Sequence, residues 1–382
     1  MPATAASTGL ADLVFTNPHR DPAWKRAVVI PAVQGTDLPS IPRTLEVDIV
    51  GAGSTRTLGD WVEETYSTSL LVLAEGAVVH EWYADGLGAD TLFLGASMTK
   101  SVLAHLIGLS VRDGSLALTD QTTSHVPELA GSGYDGTTVL DLLTMTTGVA
   151  WGEDYRDPQG LAPHLLACFA RGGDSRALLT QVRPGVAPGT RFAYCTADSQ
   201  VLDWVRERAT GLPYSDDVAR LWQALGCGQD AYVAVDGSGV ALAGGGLAAT
   251  SRDWARVAGL VVRGRTFDGS QLLDEDWVEA AVRPTYPFVA VGRLPSSITT
   301  HAGFGFHWWP MDDDGHRVTA DGSRGQFAAT DRRAGAIVVK TSQWPYADFL
   351  VDRQARDLSY LGLHTLLDAV SPTQPSTKES SL

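Results

Sequence analysis

Leu94-Gly95-Ala96-Ser97-Met98-Thr99-Lys100-Ser101-Val102-Leu103 decides how the rest of this chain is read. Apolar Val102, Leu103, Leu106, Leu109 and Val111 recur at steps of three and four up to the stop Arg112-Asp113-Gly114, with no Pro between, and this predicts a helix with Ser97 at its mouth. Ser97 and Lys100 then share one helix face with about 5–6 Å between Cβ atoms, so an amine can reach a hydroxyl. A nucleophile and its base fit that spacing. The free N–H groups and partial positive charge of the helix N-terminus would favour a developing oxyanion there. Ser is also an ordinary N-cap, and Ser-x-x-Lys is a loose pattern. Of the four Lys (Lys25, Lys100, Lys340, Lys378), only Lys100 has a Ser three residues earlier.

Outside this stretch, composition sets bounds. A chain of 382 residues with 44% hydrophobic residues and 11 Trp can bury a large core, and its length predicts two packed lobes. The 29 basic against 44 acidic residues give a net charge of −15, which opposes nucleic acid and anionic membrane as partners. A small molecule is the expected partner, and the oligomeric state is left open. No apolar run reaches the length of a membrane span, and Met1 to Ser7 lacks a signal-peptide pattern, so a cytoplasmic location is expected. Cys168, Cys195 and Cys227 lack Cys-x-x-Cys spacing and read as free thiols. His301 and His307 have no zinc-site context, and no Gly-rich phosphate loop follows a strand; neither a metal nor another cofactor is expected.

Taken in order, residues 1–45, with Pro18, Pro22, Pro31, Pro39 and Pro42, predict an extended arm. A short helix is expected over Asp60–Tyr66, then a hairpin of Ser69–Ala74 and Ala77–Tyr83 turning at Glu75-Gly76. Residues 120–230 read as an inserted helical lobe, with helices ending at Gly148 and Gly211. Strands return at Tyr232–Val235 and Ala334–Lys340, with a helix from Ser251 between them; a last helix, Phe349–Val370, precedes a flexible tail 371–382. The fold class is therefore α+β: residues 46–119 and 231–370 build one discontinuous α/β lobe with an antiparallel sheet flanked by helices, and 120–230 is the helical lobe.

Further blocks follow Ser97-Met98-Thr99-Lys100 in order. They are Leu142-Leu143-Thr144-Met145-Thr146-Thr147-Gly148, Pro188-Gly189-Thr190-Arg191-Phe192-Ala193-Tyr194-Cys195-Thr196, and Gly245-Gly246-Leu247-Ala248-Ala249-Thr250-Ser251-Arg252-Asp253. With these the chain resembles the serine β-lactamase and penicillin-binding-protein superfamily, in its class C-like branch. Val126 to Gly136 and Gly152-Glu153-Asp154-Tyr155-Arg156-Asp157-Pro158 are similar to the 6-aminohexanoate-dimer (nylon-oligomer) hydrolases in particular. The resemblance covers roughly residues 60–370.

It implies a class C β-lactamase-like fold with a groove between the lobes and Tyr194 reaching toward Ser97 and Lys100 as the third catalytic residue. Thr196 stands where the superfamily has Asn. Lys340-Thr341-Ser342 imitates the superfamily's Lys-Thr-Gly but reads as a decoy; Ala320-Asp321-Gly322-Ser323, just before Arg324-Gly325-Gln326, is the better match. On that alignment the N–H groups of Ser97 and Ser323 form the oxyanion hole, Gly322 borders it, and Ala320 replaces a cation. β-Lactams, whose carboxylate pairs with that cation, are then expected to be poor substrates.

The resemblance further implies that Tyr155 contacts the scissile amide from a mobile loop; a surface aromatic is the plainer reading. Around His164-Leu165-Leu166 there is no Asp to hold a distant amine. Trp308 and Trp309 could wall the groove or belong to the core, and Gly244 to Gly246 could be a ligand loop, though a tight backbone passage suits them better. The expected activity is a serine hydrolase cleaving an amide or ester of a small substrate through an acyl-enzyme on Ser97. An acyltransferase or amide synthase using the same acyl-enzyme, and a non-catalytic ligand sensor, stand as alternatives.

Overall fold

The hairpin forms as Ser67–Ala74 paired antiparallel with Ala77–Tyr83. Glu75 (φ 51°) and Gly76 (φ 78°) both take the left-handed conformation that a two-residue turn between twisted strands requires. In the computed structural model the described residues are 26–33, 35–51, 53–345 and 353–371. Sequence reading started the hairpin at Ser69; the first strand begins two residues earlier, since Ser67 pairs with Ser342.

Six strands make the main sheet, all antiparallel, in the order Ala77–Tyr83, Ser67–Ala74, Ala336–Ser342, Gln326–Asp331, Arg317–Gly322, Trp309–Pro310. The early hairpin is thus zipped onto a strand from the far end of the chain, with Leu71 opposite Val339. Its apolar run does not alternate with polar residues because both sheet faces are covered. Leu71, Leu73, Ala328, Ile337 and Val339 pack with Val102, Leu103 and Leu106 of the helix Met98–Arg112. Leu70, Val72, Phe327, Ala329 and Val338 pack instead with Leu358, Leu363, Leu366 and Leu367 of the helix Arg353–Val370. The predicted start of that last helix, Phe349 to Asp352, and the tail beyond Ser371 lie outside the described residues, as do positions 1–25 of the arm.

Two outcomes differ from the sequence reading. The strand Ala231–Ala234 does not join the main sheet. It lies between Ala27–Ile30 and Leu247–Ala249 in a second, four-stranded sheet that ends on Phe93–Leu94, just before the Ser97 helix. Periodicity marks a strand but carries no information on which of two sheets accepts it. The strands Arg317–Gly322 and Gln326–Asp331 add to the one strand, Ala334–Lys340, that the chain-order reading placed in this part of the sequence. Between the sheet-forming parts, the named elements from Thr122 to Leu225 are helices, and the longest, Thr196–Thr210, ends at a left-handed Gly211 as expected. No helix among the described residues is long and apolar enough to cross a membrane.

The Ser97 helix is buried along most of its length, so its polar side chains need internal partners. Thr99 Oγ1 accepts from Leu247 N (3.1 Å), Ser101 Oγ donates to the His307 carbonyl (2.8 Å), and His105 Nε2 lies 3.1 Å from the Val257 carbonyl. These bonds join the helix to the strand Leu247–Ala249 of the second sheet, to the loop at His307 and to the helix Ser251–Gly259, and they fix its rotation about its own axis.

Lys340 is fully buried on the central strand, with Nζ 5.4 Å from the Trp61 ring centroid and 5.9 Å from that of Phe327; it donates to Ser342 Oγ and to the Thr65 carbonyl. It is not among the residues lining the pocket that holds Ser97. Burial holds its ammonium well below the usual lysine value, so the unfolded chain binds a proton that the folded chain resists. The resulting cost to stability grows as pH falls below the unfolded value of about 10.4. Lys340→Met is expected to raise Tm by a few degrees at pH 7, with a smaller gain at pH 10, in differential scanning fluorimetry.

Candidate active site

Ser97 occupies the N-cap position of the helix Met98–Arg112 but makes no side-chain capping bond, so its hydroxyl is not engaged as a cap. The residue before it, Ala96, has φ 45° and is buried, a left-handed conformation that costs an Ala about 1–2 kcal/mol. That bend turns Ser97 out of the strand Phe93–Leu94 and into the groove. Lys100 Nζ donates to Ser97 Oγ at 3.0 Å, to Thr196 Oγ1 at 3.2 Å and to the Gly244 carbonyl at 2.5 Å. Three separated segments therefore converge on one amine. Its burial lowers the Lys100 pKa to about 8, against which the charge of Glu153 and, less, Cys195 push upward.

Tyr194 comes from the segment leading into the helix Thr196–Thr210. Backbone bonds to Met145, from Ala193 N to its carbonyl (3.0 Å) and from Cys195 N to its sulfur (3.5 Å), brace the chain on both sides of the Tyr. The Tyr194 ring stacks on Trp309 (centroids 5.8 Å apart) and meets Phe304 edge-on, while Lys100 Nζ lies 5.2 Å from its centroid. Burial raises the phenol well above its usual pKa, and a hydrogen bond with Ser97 offsets only part of that. Tyr194 therefore stays protonated through the neutral range.

Ser323 lines the same groove as Ser97 and Tyr194. Gly322 is where the strand Arg317–Gly322 crosses the start of the helix: a Cβ there would collide with the Gly95 carbonyl and sit 3.2 Å from Ser97 N. Only glycine lets the two backbones approach so closely. Gly244 is a comparable tight passage, since a Cβ would stand 3.0 Å from Thr196 Cγ2, and its carbonyl is what receives Lys100.

The remaining predicted residues separate. Trp309 lines the groove, whereas the fully buried Trp308 packs against His105 with ring centroids 5.4 Å apart and does not border the groove. Their alternation on an extended segment sends one ring to each side. Tyr155 is half-buried: its hydroxyl lies 3.3 Å from Thr196 Oγ1 and donates to Glu153. Thr196 thus links Lys100 to Tyr155.

Sequence reasoning passed over three charged residues. Glu153 accepts from Thr196 N (3.1 Å), from Thr196 Oγ1, from the Tyr155 hydroxyl and from Trp151 Nε1, so it gathers the loop around the lysine. Nothing in Glu153-Asp154-Tyr155-Arg156-Asp157 distinguishes the one inward carboxylate from its outward neighbours. Asp321 lies in a quoted motif and lines the groove; Arg356, from the helix Arg353–Val370, reaches the same groove from far along the chain. No group of three or more His, Cys, Asp or Glu among the described residues could hold a metal ion. The three cysteines are buried free thiols.

Comparison with known proteins agrees with this architecture. The Beta-lactamase family matches residues 61–361. A 6-aminohexanoate-dimer hydrolase of Paenarthrobacter ureafaciens is 32% identical over 295 residues, 75% of each chain. Among solved structures, a Bacillus anthracis protein with a provisional 6-aminohexanoate-dimer hydrolase assignment superposes with TM-score 0.78 at 21% identity, covering 97% of this chain and 98% of that one. A class C β-lactamase superposes with TM-score 0.58 at 15% identity, over 82% and 94% of the two chains. The α+β fold is thus class C β-lactamase-like. With the family match covering the whole main sheet, the Ser97 helix and the first half of the final helix, the chain belongs to the Beta-lactamase family.

Proposed function

We propose that the chain is a serine hydrolase that cleaves an amide or ester bond of a small substrate through an acyl-enzyme on Ser97. The observation carrying this reading is the 3.0 Å contact between Ser97 Oγ and a lysine whose pKa is lowered to about 8. At pH 7 such an amine is neutral in about one molecule in ten, far more often than an exposed lysine. Similarity to the Paenarthrobacter 6-aminohexanoate-dimer hydrolase supports the amide branch.

In this mechanism the Ser97 proton passes to neutral Lys100 as Oγ bonds to the substrate carbonyl carbon. The N–H groups of Ser97 and Ser323 hold the oxyanion, with Gly322 keeping the strand close enough for both to face one oxygen. The carbonyl carbon's bond to the leaving nitrogen or oxygen then breaks. That atom takes its proton from the Tyr194 hydroxyl, which is reprotonated from Lys100. Water repeats the sequence on the ester, freeing the acid and restoring Ser97. Thr196 holds Lys100 and is itself held by Glu153 and Tyr155, and Trp309 forms an apolar wall. Tyr194 acts as a neutral phenol, since its raised pKa leaves no phenolate at working pH.

A fluorophosphonate probe is expected to add one label per chain in intact mass spectrometry and none to Ser97→Ala; labelling that survives would refute the nucleophile. The pH profile of kcat/KM on a p-nitrophenyl ester should rise toward a plateau with an apparent pKa about 8. Because Glu153 favours the ammonium form of Lys100, Glu153→Gln should move that limb to lower pH. A shift the other way, or none, would remove Lys100 as the base. Finally, Lys100→Ala and Tyr194→Phe should each cost roughly 10²–10⁴-fold, with the double variant costing little more than either, because one proton path runs through both. Additive losses in the double-mutant cycle would show independent roles.

A further inference from the structure

At the end of the main sheet away from Ser97, a pocket collects positive charge that the reaction does not use. The strand Arg317–Gly322 has Gly322 beside Ser97 and Arg317 opposite Asp331, so the two ends lie roughly 17 Å apart at about 3.4 Å per residue. At the far end the hairpin turn between Gln326–Asp331 and Ala336–Ser342 meets the turns that follow the helix Ser251–Gly259. Together they border an open pocket of about 410 Å³, a size usual for small-molecule sites. Arg263, Arg265, Arg332 and Arg333 line it, and no Asp or Glu does. In a chain where acidic residues outnumber basic ones 44 to 29, that is a departure from composition.

Only Arg332 is neutralised. It donates to Glu279 and to the Val261 (2.8 Å) and Gly315 (2.9 Å) carbonyls, which makes it a structural tie. Arg265 donates to the Gly269 carbonyl (3.1 Å), Arg333 Nη2 lies against His316 Nε2, and the Arg263 side chain makes no hydrogen bond among the described residues. None of these three forms an ion pair there. The carboxylates nearest in sequence are occupied elsewhere. Asp268 accepts from Thr266 Oγ1 (2.5 Å) and Ser270 N (3.0 Å), and Asp331 accepts from Arg317 Nε (3.0 Å) and from the N–H groups of Arg333 and Ala334.

Two further features point to a ligand. Arg263 has φ 61°, directly before Gly264 at φ 69°; glycine adopts this left-handed conformation freely and an arginine does not, so a strained residue carries one of the free charges. Phe267, 37% exposed, lies so close to the helix that a Cβ on Gly259 would stand 2.9 Å from its ring. Its inner side is packed and its outer side is open. Guanidinium forks bind carboxylate or phosphate oxygens, and an aromatic ring between them stacks on a planar group. The net charge of −15 does not cancel this, because charges beyond about 8–10 Å are largely screened at physiological salt. We propose that the pocket is an accessory binding site, separate from the Ser97 groove, for a small planar polyanion held by Arg263, Arg265 and Arg333 and stacked on Phe267.

Calorimetric titration of the full-length protein at low salt tests this with two matched pairs, trimesate against citrate and adenosine diphosphate against pyrophosphate, and with adenosine as the uncharged control. At least one planar polyanion is expected to bind about three- to tenfold tighter than its ringless counterpart, and the pair in which it does so distinguishes carboxylate from phosphate. Adenosine should not bind. Arg265→Gln and Arg333→Gln should each weaken binding about tenfold, as loss of a charge-assisted hydrogen bond does. Arg263→Gly should weaken it similarly while leaving the unliganded Tm no lower, since glycine suits that backbone. All three positions are exposed, and all three variants should hydrolyse a p-nitrophenyl ester as the wild type does. The proposal is overturned if neither planar polyanion binds, if the ringless anions or adenosine bind as tightly, or if the folded variants bind unchanged. Competitive inhibition of ester hydrolysis by the bound anion, which would place it in the Ser97 groove, also overturns it. So does tighter binding of phosphatidylserine vesicles or duplex DNA at the same arginines.

Discussion

Burial of the Lys100 amine is the constraint on which the site depends. A lysine removed from water must either lose its proton or find oxygen partners, and here it does some of both: its pKa falls to about 8 while Ser97, Thr196 and Gly244 surround Nζ. Each partner belongs to a different segment. The helix Met98–Arg112 must therefore sit against the helix Thr196–Thr210 and the Gly244 passage at once, and the bonds of Thr99, Ser101 and His105 to Leu247, His307 and Val257 hold it there. A buried helix held on several sides keeps Ser97 and Lys100 at a fixed separation more firmly than a loop would.

Around this amine the groove is tuned by charges of opposite sense. Glu153 opposes the loss of the Lys100 proton and also gathers Thr196, Tyr155 and Trp151, so one carboxylate couples loop position to base strength. On the other side Asp321 and Arg356 act on Tyr194 in opposite directions. Both line the pocket that holds Ser97, Arg356 from the helix Arg353–Val370.

Much of this was legible in the chain. Ser97 and Lys100 announce themselves by helical spacing, Tyr194 by its place after a Pro-Gly turn in a resemblance that spans several ordered blocks, and Gly322-Ser323 by the adjoining Gly-Gln pair. The decoy at Lys340-Thr341-Ser342 could be set aside by the same alignment, and the structure puts that lysine against Trp61 and Phe327. Trp308 and Trp309 could not be told apart, since adjacent residues on an extended segment point to opposite sides and the pair itself gives no sign of which side is the groove. The second sheet was missed for a related reason: Ala231–Ala234 looks like any short buried strand, and its partners at Ala27–Ile30 and Leu247–Ala249 are chosen by the whole fold.

By itself the sequence determined what local chemistry can encode: the helix with its Ser and Lys three residues apart, the hairpin turning at Glu75-Gly76, the caps and stops, and the order of the family's motifs. Those features depend on residues within a few positions of one another, where backbone geometry fixes distance. The tertiary structure alone decided that Glu153, 53 positions from Lys100, would bear on its charge, and that Arg356 would share a groove with Asp321 and Ser97. Electrostatic interactions act through space and depend on burial, and both are set only once distant segments have packed together.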